Sequence, residues 1–258
     1  MSTSSQADGP ETTGSGAELP HRPAFVTTHW SVVLTAAGTD TTRAHEALSC
    51  LCENYWYPLY AYVRRRGHPP EAAQDLTQEF FSRLLEKHWL ARADREKGKF
   101  RSFLLMTMKR FLANEWDKAQ AVKRGGHIRL VPFQFDTAET RYSQEPADAS
   151  TPDQVFEKQW ALTLLQSVLQ RLRADYAQDG KGRLFETLEP CLIGSRETQP
   201  YATLATQLDM TEGAVKVAVS RLRERYRKCL KDEIARTVAT PADVDEELGH
   251  LFRVLAGR

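Results

Sequence analysis

Apolar residues return at steps of three and four along nearly the whole chain, the period of an α-helix with one buried face. The pattern predicts long helices over 43–66, 70–87 and 100–122, and a short one near 30–36. Punctuation between residues 24 and 131 is sparse: Pro58, then Gly67-His68-Pro69-Pro70, then Gly98, then Gly125-Gly126. The second of these is a stop followed by a new start, because proline cannot continue a helix yet suits its first turn. Residues 136–152 are polar, carry Pro146 and Pro152, and read as a flexible linker. A second helical block opens at Thr151-Pro152, a capping residue followed by proline at the first helical position. Its apolar stripe runs through Trp160, Leu164, Leu165, Val168, Leu169 and Leu172. Glycines at 180–182 and Gly194-Ser195 bound a further short helix. The tail places Val244, Leu248, Leu251, Phe252 and Leu255 at helical spacing, a stripe expected to bury against its own domain. No internal repeat is present.

The expected fold is all-α, with two helical domains joined by an acidic flexible linker. Segment 1–23 should be disordered, since its Ser, Thr, Gly and Pro content cannot bury enough surface to offset ordering entropy. A front helical domain should occupy 24–131, the linker 132–152, a back domain 153–238 and a helical extension 239–258.

The totals, 258 residues with 41% hydrophobic and 27% charged, describe a globular chain with room for one or two cores. No apolar run approaches the ~20 residues that cross a bilayer, and the N-terminus lacks the apolar core of a secretory signal. A cytoplasmic protein without a membrane partner is expected. Cys50, Cys52, Cys191 and Cys229 form no C-x-x-C pair, and nothing joins Cys50, Cys52 and His45 at zinc-site spacing, so reduced thiols and no metal are expected. Net charge is only +1 but it is segregated. Residues 95–129 hold ten Lys/Arg against three acids, and residues 136–157 hold six acids against one Arg. That arrangement suits a chain that grips a polyanion at two places and keeps its connector away from it.

The most informative stretch is 200–231: a short apolar helix, a tight polar turn, and a second helix with seven Lys/Arg against two Glu from 212 onward. Val215, Val219, Leu222 and Tyr226 line its buried side, and Lys216, Ser220, Arg221, Arg223, Arg225 and Arg227 project elsewhere. Such a helix is either an ordinary solvated one or the recognition helix of a helix-turn-helix entering a major groove; the turn pattern favours the second. The DNA-facing candidates are Thr211, Glu212, Gly213, Lys216, Val217, Ser220, Arg221 and Arg223.

Two segments in the front half bear on partners. In Asp75-Leu76-Thr77-Gln78-Glu79-Phe80-Phe81, Leu76, Phe80 and Leu84 face the core, with one of Phe81 and Leu85. Asp75, Gln78, Glu79 and Ser82 share an exposed acidic and amide face suited to a basic partner. From Lys97 to Gly126, aromatics interleave with Lys and Arg, which supplies π-faces for unstacked bases and cations for their phosphates. Phe103 and Phe111 belong to the core; Arg101, Lys109, Arg110, Lys123 and Arg124 remain for phosphate.

Here the chain resembles the bacterial RNA polymerase sigma factors of the extracytoplasmic-function (ECF) type. DLTQEFF is similar to that family's Asp-hydrophobic-x-Gln-acid-x-Phe helix, which binds the clamp helices of the polymerase. FRSFLLMTMKRFLANEWDKAQAVKRGG resembles the helix that melts and reads the minus-ten element, and YATLATQLDMTEGAVKVAVSRLR the helix-turn-helix that reads the minus-thirty-five element. The resemblance covers roughly 45–126 and 196–231. It departs at Phe103, where Trp is usual, at Lys109-Arg110 for Arg-Asn, at Asn114 for Asp and at Thr203 for Glu, and in the C-terminal extension, which marks a divergent subgroup.

The resemblance implies a polymerase-binding set of Asp75, Leu76, Gln78, Glu79, Phe81 and Ser82. It implies a single-strand set of Lys99, Arg101, Lys109, Arg110, Asn114, Lys123 and Arg124. Partners are then core RNA polymerase and promoter DNA, with room for an anti-sigma factor. No cofactor and no small-molecule substrate is implied. The alternative is a helix-turn-helix regulator that binds DNA without docking on polymerase, against which DLTQEFF argues. An enzyme is not expected: there is no phosphate-cradling glycine loop, H-E-x-x-H or G-x-S-x-G, and His68, His88 and His127 sit isolated at helix ends.

Overall fold

The computed structural model describes residues 33, 35–36, 41–86, 89–94, 96, 98–121, 135–144, 149–193, 199–238 and 240–257. Among them are ten α-helices and no strand. In the front half they are α1 (Thr41–Arg65), α2 (Pro70–Glu86), α3 (Phe100–Ala121) and α4 (Phe135–Ser143), with a 3-10 turn over Trp89–Arg92. The back half holds α5 (Pro152–Gln178), α6 (Gly182–Leu188), α7 (Pro190–Ile193), α8 (Tyr201–Leu208), α9 (Glu212–Thr237) and α10 (Asp243–Leu255). The segment 1–23, most of the short helix near 30–36 and the Gly125-Gly126 turn lie outside the described residues.

Two hydrophobic cores organise these helices. The front core centres on α1, whose residues 54–63 are buried on every side even though Pro58 interrupts the run. Phe80, Phe81 and Leu84 of α2 and Leu104, Met108 and Phe111 of α3 close on it, with Phe80 and Phe111 edge-to-face at 5.7 Å. The back core gathers Phe185 and Leu188 of α6, Leu204 and Ala205 of α8, and Val215, Val219 and Leu222 of α9. The stripe expected on the second helix of the helix-turn-helix is therefore the one that buries.

The front core crosses the expected boundary near residue 152, while the back core stays within 153–238. Helix α5 starts where the sequence indicated, at a capping box: Gln154 N–H donates to the Thr151 hydroxyl and the Gln154 side chain accepts from Thr151 N–H at 2.8 Å. Its first turns, through Phe156, Trp160, Leu164 and Val168, belong to the front core, and only Leu172 and Tyr176 enter the back core. Helix α9 does the reverse, burying Val215 to Leu222 in the back and Leu230 and Ile234 in the front. Two helices of 27 and 26 residues thus run through both cores.

The stretch read as a flexible linker is in part α4, clasped to α1. Glu139 accepts from Arg64 at 2.9 and 3.0 Å and from the Tyr60 hydroxyl at 2.5 Å, and the Arg141 guanidinium lies 3.9 Å from the Tyr57 ring centroid. Short-range polarity gave no sign of this helix, because its partners are some 75 residues away in sequence. The tail forms α10 as expected. Leu251 is buried and Val244, Leu248 and Leu255 pack beside it, but against the front core, while Phe252 stays exposed.

The Arg64 hydrogen bonds hold the Glu139 carboxyl below its ordinary range, and burial, reinforced by Glu139, pushes the Tyr60 hydroxyl up. A carboxylate with a lowered folded pKa stabilises the fold above its unfolded value, and that stabilisation disappears as pH falls through the folded value. Glu139→Gln should therefore cost about 1–2 kcal/mol at neutral pH. The gap from the parent protein should close as pH falls below 4.5; urea unfolding across a pH series measures it.

Candidate nucleic-acid interface

Helix α2 presents Asp75 to solvent, with Gln78 and Glu79 half-buried beside it and Leu76 packed against the core. Glu79 is already engaged: Arg83 donates to it at 2.7 Å, donates at 2.5 Å to Glu115 of α3, and rests on the Phe111 ring. Two members of the expected docking set turn inward. Phe81 is buried edge-to-face on Phe80, and Ser82 is buried with its hydroxyl donating to the Gln78 carbonyl at 3.0 Å. A helix turns about 100° per residue, so Ser82, seven residues on, lies within about 20° of Asp75 on the same row, yet it is buried. The exposed part of the face reduces to Asp75, Gln78 and Glu79.

Between α3 and the 3-10 turn lies a groove of about 610 Å³. Phe103, Met106 and Phe111 supply apolar surface, and Arg92, Lys99, Ser102, Arg110 and Asn114 supply polar groups. Residues 103, 106, 107, 110 and 114 recur at helical spacing, so one face of α3 forms much of the wall. Met106 is 51% exposed. Gly98 sets the entry to α3 with φ +130°, a conformation that suits glycine. Sequence periodicity had marked Phe103 only as core. In the structure it is half-buried, stacked on Phe100 at 5.9 Å, and also lines the groove.

The cations expected to hold phosphate divide sharply. Arg110 and Asn114 are exposed in the groove. Arg101 is 4% exposed and fully engaged: its Nε donates to Glu157 at 2.8 Å, both terminal nitrogens donate to Glu247, and the guanidinium lies 4.2 Å from the Trp160 ring centroid. Its removal from the open face is a correction of the sequence reading, caused by α5 and α10 closing over the start of α3. Lys99 pairs with Glu247 and stands 4.0 Å from Glu246. Burial, with Arg101 alongside, holds its ammonium below the ordinary lysine value. Lys109 pairs with Asp153 at 2.6 Å. Lys123 and Arg124, like His88 and His127, lie outside the described residues. The acids Asp153, Glu157, Glu246 and Glu247 were not singled out by sequence; only the first two were hinted at, by the negative charge of 136–157.

In the back half, α8 ends at Asp209 in the left-handed conformation (φ 53°, ψ 47°), with Met210 N–H reaching the Ala205 carbonyl at 3.0 Å. Asp is among the residues that tolerate this geometry. Thr211 then caps α9, its hydroxyl accepting from Ala214 N–H at 3.2 Å. The turn is tight, as the sequence indicated. Lys216, Val217, Ser220 and Arg221 are exposed on α9, and Lys216 is paired with Glu212 at 2.7 Å. Arg221 makes no ion pair among the described residues. Arg223 instead points its guanidinium at the Cys191 carbonyl in α7, at 2.9 and 3.3 Å. A Cβ built at Gly213 meets nothing within 4 Å, so the fold itself does not require glycine there.

Residues 52–122, from α1 just past the end of α3, match the family Sigma-70 region 2. The matched segment includes both the Asp75–Glu79 face and the groove. Comparison with curated proteins finds no match, and comparison with solved structures finds none either. The chain therefore carries a sigma-70 region 2 domain over about a quarter of its length, which supports a place among the RNA polymerase sigma factors. That domain supports binding to core polymerase and a part in transcription initiation. No described helix is long and apolar enough to cross a membrane.

Because Arg223 braces α7, Arg223→Ala should lower stability by about 1 kcal/mol, whereas Arg221→Ala should leave it unchanged. Chemical denaturation followed by circular dichroism distinguishes the two.

Proposed function

We propose that the protein is a sigma factor of the extracytoplasmic-function type, in a divergent subgroup, that directs core RNA polymerase to particular promoters from the cytoplasm. Asp75, Gln78 and Glu79 dock on the polymerase. The groove between α3 and the 3-10 turn takes an unstacked base of the melted strand, with Phe103 and Met106 offering apolar surface and Arg110 and Asn114 reaching the backbone or base edge. Helices α8 and α9 set Gly213, Lys216, Val217, Ser220 and Arg221 in the major groove upstream. The observation that carries this reading is the placement of an acidic face and a cation-rimmed aromatic groove on consecutive helices of one matched domain. Gly213 supports the upstream half: glycine that the fold does not need permits close backbone approach to an outside surface.

The protein added to sigma-free core polymerase and promoter DNA should yield specific transcripts. Tight DNA binding with no transcript from any genomic promoter would favour a regulator that works without polymerase. Asp75→Lys combined with Gln78→Ala should abolish polymerase binding while leaving helix content intact; retained affinity in a pull-down with core enzyme refutes the docking face. Arg221→Ala should weaken upstream duplex binding by roughly 1–3 kcal/mol if it reads a base. If the contact is to phosphate, the salt dependence of binding should fall by about one unit of slope without a change of preference.

A further inference from the structure

Three cations at the entry to α3 and along its first half meet carboxylates from the opposite half of the chain. Arg101 is held by Glu157 of α5 and Glu247 of α10, Lys99 by Glu247 with Glu246 nearby, and Lys109 by Asp153. Glu247 is fully buried and Glu157 largely so, and His250 Nε2 approaches the same Glu157 oxygen at 3.0 Å. A carboxylate at this range on an Arg or Lys makes the charge-assisted contact that a phosphate oxygen would make. Lys99 also belongs to the groove wall, so the acids of α10 reach the edge of the nucleic-acid site.

We propose that α10 is an internal cover: its Glu246 and Glu247, together with Glu157, occupy Lys99 and Arg101 in place of a single-stranded DNA backbone and hold the chain in a closed form. This rests on the reading of the groove as a nucleic-acid site. Release of α10 frees Lys99 on the groove wall and takes Glu247 away from Arg101, whose guanidinium rests on the Trp160 ring. The exchange is feasible because a buried ion-pair cluster contributes little net stability: desolvation offsets most of the attraction. A polyanion that replaces one set of anions with another, while leaving the carboxylates to water, has chiefly the apolar contacts of Leu251 and its neighbours to overcome. The closed form also accounts for the position of the tail stripe, which packs on the front core rather than on the helix-turn-helix core.

The test uses the full chain and a fluorescently labelled single-stranded DNA oligonucleotide, read by anisotropy without polymerase. Glu246→Gln with Glu247→Gln should bind about tenfold tighter, as for a chain whose open form is a minor population. Leu251→Ala loosens α10 without changing charge and should gain affinity in the same direction. A charge-matched control on exposed acids elsewhere, Glu186→Gln with Asp232→Asn, should shift affinity by less than about twofold. Adding Arg101→Ala to the Glu246/Glu247 pair should reverse the gain. Circular dichroism checks folding; should the Gln pair unfold, Leu251→Ala carries the test. A gain in the Gln pair that the control equals, or no gain in folded Leu251→Ala, overturns the cover while leaving the groove reading intact. Failure of the parent and every variant to bind the oligonucleotide overturns both.

Discussion

Helix α5 is the constraint on which the architecture depends. At 27 residues and about 1.5 Å per residue it spans roughly 40 Å, and its apolar stripe is divided between two cores. A helix buried at both ends cannot act as a hinge without exposing one of them. Its capping box and Pro152 fix where it begins, and hence which turn meets α1 and which meets α6. Helix α9 runs alongside in the complementary sense, so the two halves are coupled by a pair of packed rods instead of a tether.

The charge pattern takes on a different meaning in this light. The acidic run 136–157 reads from sequence as a stretch that stays clear of a polyanion. In space three of its six carboxylates are used one by one against front-half cations: Glu139 on Arg64, Asp153 on Lys109, Glu157 on Arg101. Segregation of charge along the chain is resolved by pairing across it. The net charge of a segment does not reveal this, because a buried pair and two solvated ions contribute the same formal sum.

What the sequence made legible follows from the range of the physics involved. Helical period and the Thr151–Pro152 start are local, and the structure shows the expected long helices and that start within a residue or two of their places; a tight turn before α9 was expected too, and it falls at Asp209–Thr211. The buried side of α9 was equally plain, because four apolar positions in one row admit a single orientation. Ser82 and Phe81 were harder: Phe81 lies at the margin of the apolar stripe, and Ser82, though in row with Asp75, is buried further along the helix, which spacing on one helix does not reveal. Arg101 was out of reach: its partners lie 56 and 146 residues away, and nothing in an Arg between two Phe-led turns announces a carboxylate from another helix. Helix α4 escaped for the same reason, being polar in composition and held by contacts with α1.

The continuity of α9 also sets a rule of phase. Leu222 is locked into one core and Leu230 into the other by a single unbroken helix. Each residue inserted between them would turn the face bearing Ser220 and Arg221 by about 100° relative to α3 and its groove. Seven residues would bring that face back to within roughly 20° of its heading, yet carry it about 10 Å further away. This stretch of the chain is therefore a gauge whose length is part of its meaning, and changes of length belong elsewhere, in the turns.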